Sequence, residues 1–443
     1  MACPSQGSRL PPLISRNPGD GARPRDNLSG MTQRLVLFAQ YILPLDGPGP
    51  IEDGFVLIQG NRILQVGRRK DFYFLPSLRM LDLGATILLP GLINAHCHLD
   101  FTSLKGKVPY RGDFRKWLRT MAGKTRQTTP AEFRKSIQKG IRDSLAFGTT
   151  TLCDISTSGE SFRLLSRSPL RAVAFLELLD VAQPDPAAVW KNFKGRLESL
   201  AADAKASETF QWGVSPHTPF TVSKELLLLA GRQLGSRTLT TIHVAESRDE
   251  ARFFKKGKGP MAERIKALNP DWSIPHGTTP VRYLNDCGWL PKLDLGVHLN
   301  LVDRRDLKLL AKNRVTVVHC PGSHAYFGHP PFPYRQMRRA GISVCLGTDS
   351  LASNQSLSLF REMRLFQKTH PQVPASEILA MATVKSAQAL GEGKRLGQVK
   401  PGYFADLIGI PFKKKTRGGL FDQVLANREP VCFSMVNGEI RLR

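Results

Sequence analysis

The sequence has no long apolar run. None of its apolar stretches approaches the roughly 20 residues that a membrane-spanning helix needs, and its first residues lack the apolar segment of a secretory signal. The chain is therefore expected to have no membrane partner.

Cysteine is scarce and irregularly placed. The 443 residues include seven cysteines, an odd number with no C-x-x-C spacing. This distribution argues against a disulfide framework and against a zinc site built from cysteines. A reducing compartment is the simplest expectation, and we predict a cytoplasmic protein.

Acidic residues are few relative to basic ones. The chain has 37 Asp and Glu against 63 Lys and Arg, a formal net charge of +26 at pH 7. Such an excess is typical of proteins that bind nucleic acid or an anionic membrane surface. The basic residues are spread along the chain, however, and we find no nucleic-acid motif. The charge therefore predicts a solvated basic surface and no specific nucleic-acid partner, with a functional polyanion site as the alternative.

The two ends of the chain share one pattern. Residues 1–31 are rich in Pro, Gly, Ser and Arg without periodicity, which predicts a disordered extension. After them, apolar runs flank two-residue turns at 60–61 and again at 437–438, as in β-hairpins. We predict one small β-sandwich domain assembled from residues 32–90 and 391–443.

The middle of the chain, residues 91–390, alternates β-rich runs with helical patterns, which implies a parallel sheet. Eight repeats predict an α/β fold, a (β/α)8 TIM barrel, with its active site at the C-terminal ends of the strands. Segment 246–296 is expected to fold over that site as a lid. The eight runs are 91–97, 149–154, 171–177, 210–216, 239–245, 293–299, 315–320 and 342–348.

The first run ends in His96 and His98. In a strand, side chains at i and i+2 point to the same face, so the two imidazoles would converge as ligands of a divalent metal. Two incidental histidines are the alternative for this pair alone. Six of the ten histidines lie at or beside predicted strand ends, which random placement does not explain.

Six short segments carry the strongest pattern in the chain: 90–98 (PGLINAHCH), 148–151 (GTTT), 243–246 (HVAE), 319–321 (HCP), 347–350 (GTDS) and 397–407 (GQVKPGYFADL). These motifs resemble those of the amidohydrolase superfamily, and within it the branch of cytosine deaminases, guanine deaminases and chlorohydrolases. The resemblance extends from about residue 33 to the end. Segments 96–100 (HCHLD) and 347–354 (GTDSLASN) are most similar to the adenosine-type deaminases, which act on aminodeoxyfutalosine, S-adenosylhomocysteine or methylthioadenosine.

The resemblance implies one divalent ion, Zn²⁺ with Fe²⁺ as the alternative, bound by three imidazoles and a carboxylate. No lysine ends the fourth strand, where two-metal members of the superfamily carry one, and this favours a single ion. The implied metal ligands are His96, His98, His243 and Asp349.

The resemblance also implies three catalytic groups. Asp349 would take a proton from the metal's water, His298 would hydrogen-bond that water, and Glu246 would protonate a ring nitrogen of the substrate. The residues expected to contact the substrate are His217, Asp100, Ser350 and His324.

Several of these residues have other interpretations. Glu246 could be a surface carboxylate at the start of a helix, and His217 could cap a strand. Asp100 could orient a metal ligand, and His324 could be packed and hydrogen-bonded behind the site.

The resulting expectation is a metal-dependent aminohydrolase that releases ammonia from an amino-substituted N-heterocycle, an adenosine-type nucleoside such as aminodeoxyfutalosine or S-adenosylhomocysteine. A guanine or cytosine deaminase and a chlorohydrolase are the alternatives. A non-catalytic assembly protein is a more remote alternative, because such a protein would be expected to have lost metal ligands. The partners expected are a small heterocyclic substrate and a second copy of the chain in a homodimer.

Overall fold

The computed structural model describes residues 34–47, 49–74, 78–183, 185–414 and 418–443. The extension predicted at 1–31 lies outside these residues. The strands are β1 Arg34–Ile42, β2 Ile51–Gln59, β3 Arg62–Arg68, β4 Arg79–Asp82, β5 Thr86–Pro90, β6 Leu92–Cys97, β7 Thr149–Ser156, β8 Arg171–Leu178, β9 Phe210–Pro216, β10 Leu239–Val244, β11 Leu295–His298, β12 Thr316–His319, β13 Val344–Leu346, β14 Leu407–Pro411, β15 Phe433–Val436 and β16 Glu439–Leu442.

The helices follow most of the central strands. They are α1 Phe114–Gln127, α2 Pro130–Ala146, α3 Glu160–Ser166, α4 Pro186–Ala204, α5 Lys224–Gln233, α6 Arg248–Lys256, α7 Pro260–Leu268, α8 Pro280–Asp286, α9 Arg304–Lys312, α10 Pro321–Phe327, α11 Tyr334–Arg339, α12 Leu359–Thr369, α13 Ala375–Met381, α14 Val384–Ala389 and α15 Leu420–Ala426. Short 3-10 helices span Arg69–Asp71, Leu99–Leu104 and Leu290–Lys292. Within the described residues, no helix is long and apolar enough to cross a membrane.

The first sheet joins the two chain ends. Its hydrogen-bonded order is β16-β15-β14-β5-β1-β2-β3, with β4 also paired to β1. Strand β14 runs antiparallel to β5, with Leu407 opposite Pro90, so the C-terminal strands extend the N-terminal ones. Both predicted hairpin turns are present, and Asn437 has the positive φ of 52° that this kind of turn requires.

The second sheet is the predicted barrel. Strands β6 to β13 pair in parallel in sequence order, and each of the eight predicted runs overlaps one of them. A parallel bridge between Cys97 and Asp349 joins the last strand region to the first. The backbone N–H of Thr348 donates to the His96 carbonyl over 2.9 Å at the same seam. This closure places the C-terminal ends of β6 and β13 side by side.

Helix α2 shows how the sequence sets an element boundary. The Thr129 hydroxyl accepts from the backbone of Glu132, whose side chain accepts in return from the backbone of Thr129. Pro130 occupies the first helical turn, where its missing N–H needs no partner. The apolar face of α2 buries Ile137 and Ile141 in the core around the barrel, and Phe133 packs with Leu104 and Met121.

A buried ion pair connects the barrel to the first sheet. The Arg171 guanidinium of β8 donates to Asp406 over 3.0 Å, and both side chains are buried. The same guanidinium lies 4.2 Å from the centre of the Phe404 ring. Because the groups are desolvated, this contact fixes the register of the two sheets more than it adds stability.

Candidate metal centre and active-site cavity

A cavity of about 340 Å³ opens at the C-terminal end of the barrel. This volume is in the range of small-molecule sites. His98, His243 and Asp349 line its floor, and Glu246 and His298 lie beside them. The strand ends therefore bring together the residues that the sequence assigned to metal binding and catalysis.

The predicted metal ligands converge on one point. The Nε2 atoms of His98 and His243 are 3.2 Å apart. Asp349 Oδ1 lies 3.6 Å from the Nε2 atoms of both His96 and His98. All four side chains are buried or nearly so.

The donor set fits a divalent cation. Both ring nitrogens of His96 and Nδ1 of His98 are buried without a hydrogen-bond partner among the described residues. A buried polar atom left in this way is unfavourable unless something else satisfies it. Burial and the neighbouring His96 hold the pKa of His98 well below its usual range, and burial lowers the pKa of His243 to about 3. The imidazoles of His98 and His243 are therefore neutral, which is the form that binds metal.

Hydrogen bonds behind the ligands fix their orientation. His243 Nδ1 lies 2.8 Å from the His217 carbonyl, which directs Nε2 into the cavity. The hydroxyls of Ser323 and Ser353 donate to Asp349 Oδ2 over 2.6 and 3.0 Å, and Oδ1 faces the histidines. Burial alone would raise the pKa of Asp349, but His96 and the other imidazoles hold it well below its ordinary value. Asp349 is thus a carboxylate.

The strand ends adopt unusual backbone conformations. Ala245, His298 and Asp349 have φ values of 53°, 72° and 57°. Non-glycine residues are uncommon in this left-handed region, and such conformations cluster at functional sites. Next to Asp349, a Cβ on Gly347 would lie 2.9 Å from the His96 Cβ. Only glycine lets the last strand approach the first closely enough to bring Asp349 to the histidines.

Glu246 is held beside the metal ligands by its own backbone. Its N–H donates to Glu250 Oε2 over 2.7 Å, and Asn300 Nδ2 donates to its carbonyl over 3.1 Å. Its Oε1 lies 3.8 Å from His298 Nε2 and 3.9 Å from His329 Nε2. Burial, and then the charge of Asp349, raise the pKa of Glu246 well above its usual value. Burial therefore favours the acid form of Glu246, in which it is able to donate a proton.

His217 and Ser350 also line the cavity. His217 Nδ1 lies 2.9 Å from the Thr221 hydroxyl, and its Nε2 faces Glu177 Oε1 at 3.9 Å. Burial lowers the pKa of His217 to about 4, so the ring is neutral. Both residues are placed where a substrate would contact them.

The structure does not bring Asp100 to the cavity wall. Its carboxylate accepts from the backbone N–H groups of Thr157 and Ser158 over 2.9 and 2.8 Å and from the Ser158 hydroxyl over 2.8 Å. These bonds shape the loop after β7 and leave the side chain buried. Asp100 therefore supports the site from behind, and this placement does not fit the substrate contact expected from the sequence.

His324 also lies behind the cavity. Its Nδ1 is 3.1 Å from Asn300 Oδ1, on the amide that holds the Glu246 carbonyl. It is absent from the residues that line the cavity among those described. Of the two interpretations that the sequence left open for His324, packing behind the site agrees with this position.

Two functional candidates, Glu177 and His329, were not predicted from the sequence. Glu177 ends β8 and lines the cavity, and its position at a strand end could have identified it. His329 lies in a loop after α10, and its buried Nε2 has no hydrogen-bond partner among the described residues. No pattern in the sequence marks that loop as part of the site.

The predicted lid is wrong. In the part of the chain that the structure describes, no residue of 247–296 lines the cavity. Helices α6 and α7 instead bury their own apolar faces against Phe220. The cover is helix α1, between β6 and α2, whose lining residues recur at the spacing of one helical face. They are Phe114, Trp117, Leu118, Met121, Ala122, Thr125 and Arg126.

The chain is similar to proteins of known activity over most of its length. Residues 87–440 match the amidohydrolase family. The 5-methylthioadenosine/S-adenosylhomocysteine deaminase of Syntrophobacter fumaroxidans is 31% identical over 86% of this chain and 85% of the relative. The enzyme of that name from Pyrococcus furiosus is 27% identical over 87% of this chain and 93% of its own.

Solved structures share the architecture. The aminofutalosine deaminase of Helicobacter pylori in complex with methylthio-coformycin superposes with a TM-score of 0.80, at 25% identity, over 92% of this chain and 100% of that one. An adenosine deaminase from Xanthomonas campestris with bound zinc gives a TM-score of 0.78 at 23% identity and covers 92% of both chains, a likeness of fold.

Proposed function

The chain belongs to the amidohydrolase family and is a metal-dependent deaminase, and we propose that its substrate is an adenosine-type nucleoside. The observation that carries this proposal is the buried Glu246, whose pKa is raised well above its ordinary value, beside a cluster of imidazoles and one carboxylate. An amino-substituted ring needs such an acid, because protonation of the ring nitrogen makes the adjacent carbon electrophilic.

The metal site follows from the same geometry. His96, His98, His243 and Asp349 would hold one divalent ion, and we propose Zn²⁺, with Fe²⁺ as the alternative. When bound, the ion supplies an acidic water molecule for attack near neutral pH. The neutral imidazoles of His98 and His243 and the ionised Asp349 suit this role without any further proton release.

Asp349 and Glu246 then divide the proton transfers. Asp349, anchored by two serine hydroxyls on Oδ2, accepts a proton from the attacking water and passes it to the departing amino group. Glu246 gives its proton to the ring nitrogen and recovers one from the hydroxyl newly added to the ring carbon. The sum is water plus the amine giving a ring carbonyl plus ammonia.

The remaining residues orient the reactants. His298 lies 3.8 Å from Glu246 Oε1, and its neutral ring can hydrogen-bond the attacking water. His217 and Ser350 lie on the cavity wall for contact with the nucleoside. Glu177, beside His217, offers carboxylate oxygens to substrate hydroxyl or N–H groups.

Similarity favours adenosine-type nucleosides over the other heterocycles. The relatives named above act, by their names, on 5-methylthioadenosine and S-adenosylhomocysteine. The 25% identical structural neighbour is an aminofutalosine deaminase. Guanine and cytosine remain the alternative substrates, because they require the same metal ligands and the same acid.

A deamination screen on the zinc-loaded protein tests the proposal. The panel contains aminodeoxyfutalosine, S-adenosylhomocysteine, methylthioadenosine and adenosine, with guanine and cytosine as competitors, and ammonia release is measured. We expect turnover of at least one adenosine-type nucleoside with kcat/KM at least about 10⁴ M⁻¹s⁻¹. Turnover confined to guanine or cytosine would contradict the proposed substrate class.

A further inference from the structure

Helix α6 carries a buried carboxyl group that the proposed reaction does not use. Glu250 is 2% exposed, and it is not among the described residues that line the cavity. Acidic side chains are seldom buried to this extent unless their oxygens are satisfied by partners. The partners of Glu250 therefore indicate what its carboxyl group does.

Both oxygens of Glu250 accept hydrogen bonds from consecutive backbone N–H groups. Oε1 accepts from Ala245 over 2.9 Å, and Oε2 accepts from Glu246 over 2.7 Å. Ala245 and Glu246 connect β10, which carries the proposed metal ligand His243, to α6. The carboxyl group of Glu250 therefore holds the peptide that leads directly into the acid Glu246.

This contact differs from the usual role of an acidic residue at the start of a helix. Ser247 is the N-cap of α6, and its hydroxyl accepts from the Glu250 N–H over 3.2 Å, so Glu250 occupies the third helical position. In a capping box, the side chain at that position accepts from the backbone N–H of the N-cap residue. Glu250 instead reaches past Ser247 to the two preceding residues. Capping of α6 therefore does not explain where the carboxyl group of Glu250 lies.

The turn that Glu250 holds has an uncommon backbone. Ala245 has a φ of 53°, in the left-handed region that few residues other than glycine adopt. Such a conformation persists only where its surroundings enforce it. Two further bonds act from the other side: the Leu301 N–H donates to the Ala245 carbonyl over 3.1 Å, and Asn300 Nδ2 donates to the Glu246 carbonyl over 3.1 Å. The main chain of Glu246 is thus held at its N–H and at its carbonyl, while its side chain lines the cavity.

We propose that Glu250 is a positioning residue, which holds the main chain of Glu246 so that this acid reaches the ring nitrogen of the substrate. The inference rests on the proposed role of Glu246 as the proton donor. Proton transfer needs the donor within hydrogen-bond reach of the accepting atom, and a displacement of about 1 Å in an active site costs a factor of about 10² in rate. Glu250 acts through Glu246 alone.

Glu250→Gln tests the inference, because a carboxamide has one acceptor oxygen where the carboxyl group has two. Its NH₂ group would face one of the two N–H donors, and the turn would shift. The zinc-loaded protein is assayed with the substrate that the deamination screen finds to be turned over fastest. We expect kcat to fall by about 10- to 100-fold and KM to change by less than about twofold, with metal content unchanged. An unchanged kcat would overturn the inference, and so would a lowered melting temperature as the only effect.

A double variant shows whether Glu250 acts through the acid. Once Glu246→Gln has removed the proton donor, adding Glu250→Gln should change kcat by less than about twofold, since no acid remains to be positioned. A further fall of about tenfold or more would overturn the inference, because Glu250 would then support other parts of the site. Full activity of Glu246→Gln alone would instead refute the proposed function, so the two failures give different results.

Asp306→Asn is the matched control. Asp306 is fully buried at the third position of α9, where it closes an ordinary capping box with Asp303. Among the described residues, it is not one of those that line the cavity. Asp306→Asn should lower the melting temperature and leave kcat unchanged within about twofold, because its contacts stabilise a helix and position no reacting group. A fall in kcat as large as that of Glu250→Gln would overturn the inference.

Asn300→Leu is a second variant, which applies even if Glu250→Gln does not fold. It removes the donor to the Glu246 carbonyl on the opposite side of the turn. We expect kcat to fall by about tenfold, with KM and metal content unchanged, because the same acid is displaced. An unchanged kcat would contradict the inference, since this turn would then not need to be held.

Discussion

At the scale of single residues, the protonation of Glu246 determines when the site works. Burial raises its pKa well above the usual range, so the acid form persists to higher pH than in an ordinary carboxyl group. A general acid must be protonated to act, and activity is lost as pH rises through its pKa. We predict that kcat/KM falls on the alkaline side because Glu246 loses its proton. A pH profile of the wild-type protein checks this, and a rate that rises steadily to high pH would contradict it.

His329 offers a second test at this scale. Its unpartnered Nε2 faces Glu246 Oε1 at 3.9 Å, opposite His298, so it can steady the carboxyl group while protons move. We predict that His329→Ala lowers kcat by about tenfold with little change in KM, and that His329→Gln restores part of the loss.

The control for His329 is His276→Ala, since His276 is exposed on the segment that does not line the cavity. Steady-state kinetics of His329→Ala, His329→Gln and His276→Ala distinguish a positioning role of His329 from a role in substrate binding. An increase in KM with unchanged kcat would mean that His329 binds substrate and does not position Glu246.

The metal ligands could be predicted because the resemblance to the amidohydrolase superfamily implied them, and the structure places their side chains close together at the strand ends. The position of Asp100 behind the cavity could not be predicted, because its sequence position two residues after a ligand says nothing about the loop whose backbone N–H groups bind its carboxylate. His329 was missed because it comes from an irregular loop whose path depends on tertiary packing.

At the scale of elements, α1 is expected to govern affinity. Trp117 lies on its inner face, and its indole N–H is fixed by the Val108 carbonyl at 3.1 Å. We predict that Trp117→Ala raises KM by about tenfold or more and changes kcat little, because the lost contact is made equally in the ground state and the transition state.

Trp272→Ala is the matched control for that change. Trp272 is buried among α6 and α7, outside the cavity. Trp272→Ala should lower the free energy of unfolding by about 3 kcal/mol or more and leave KM unchanged. A large effect of Trp272→Ala on KM would restore the original assignment of the lid to 246–296.

The elements themselves followed well from the sequence. Each barrel strand is a β-rich run between helical patterns, and α2 carries a complete capping box. Which long loop covers the site could not be predicted, because α1 and the helices of 246–296 are all amphipathic. The choice depends on whether a helix can bury its apolar face on a neighbour, as α6 and α7 do on Phe220.

At the scale of the whole molecule, the Arg171–Asp406 pair is expected to couple the two sheets. Removing one partner leaves the other charge buried and unpaired. We predict that Arg171→Met lowers the free energy of unfolding by about 3–5 kcal/mol without loss of metal affinity. Arg134→Met is the control, because Arg134 pairs with Glu160 on the surface, and it should cost at most about 1 kcal/mol. Denaturant unfolding measures both, and equal small effects would contradict the coupling.

At this scale, the solvated basic surface expected from the net charge of +26 and the homodimer both remain predictions.

The central claim is that a bound metal and the acid Glu246 act together in deamination. The most direct measurement compares wild type with Glu246→Gln for metal content per chain and for ammonia release from an adenosine-type substrate. We predict about one divalent ion in both proteins, with kcat lower by about 10²–10⁴ in the variant. Loss of the metal in Glu246→Gln, or full activity with the metal retained, would contradict this account.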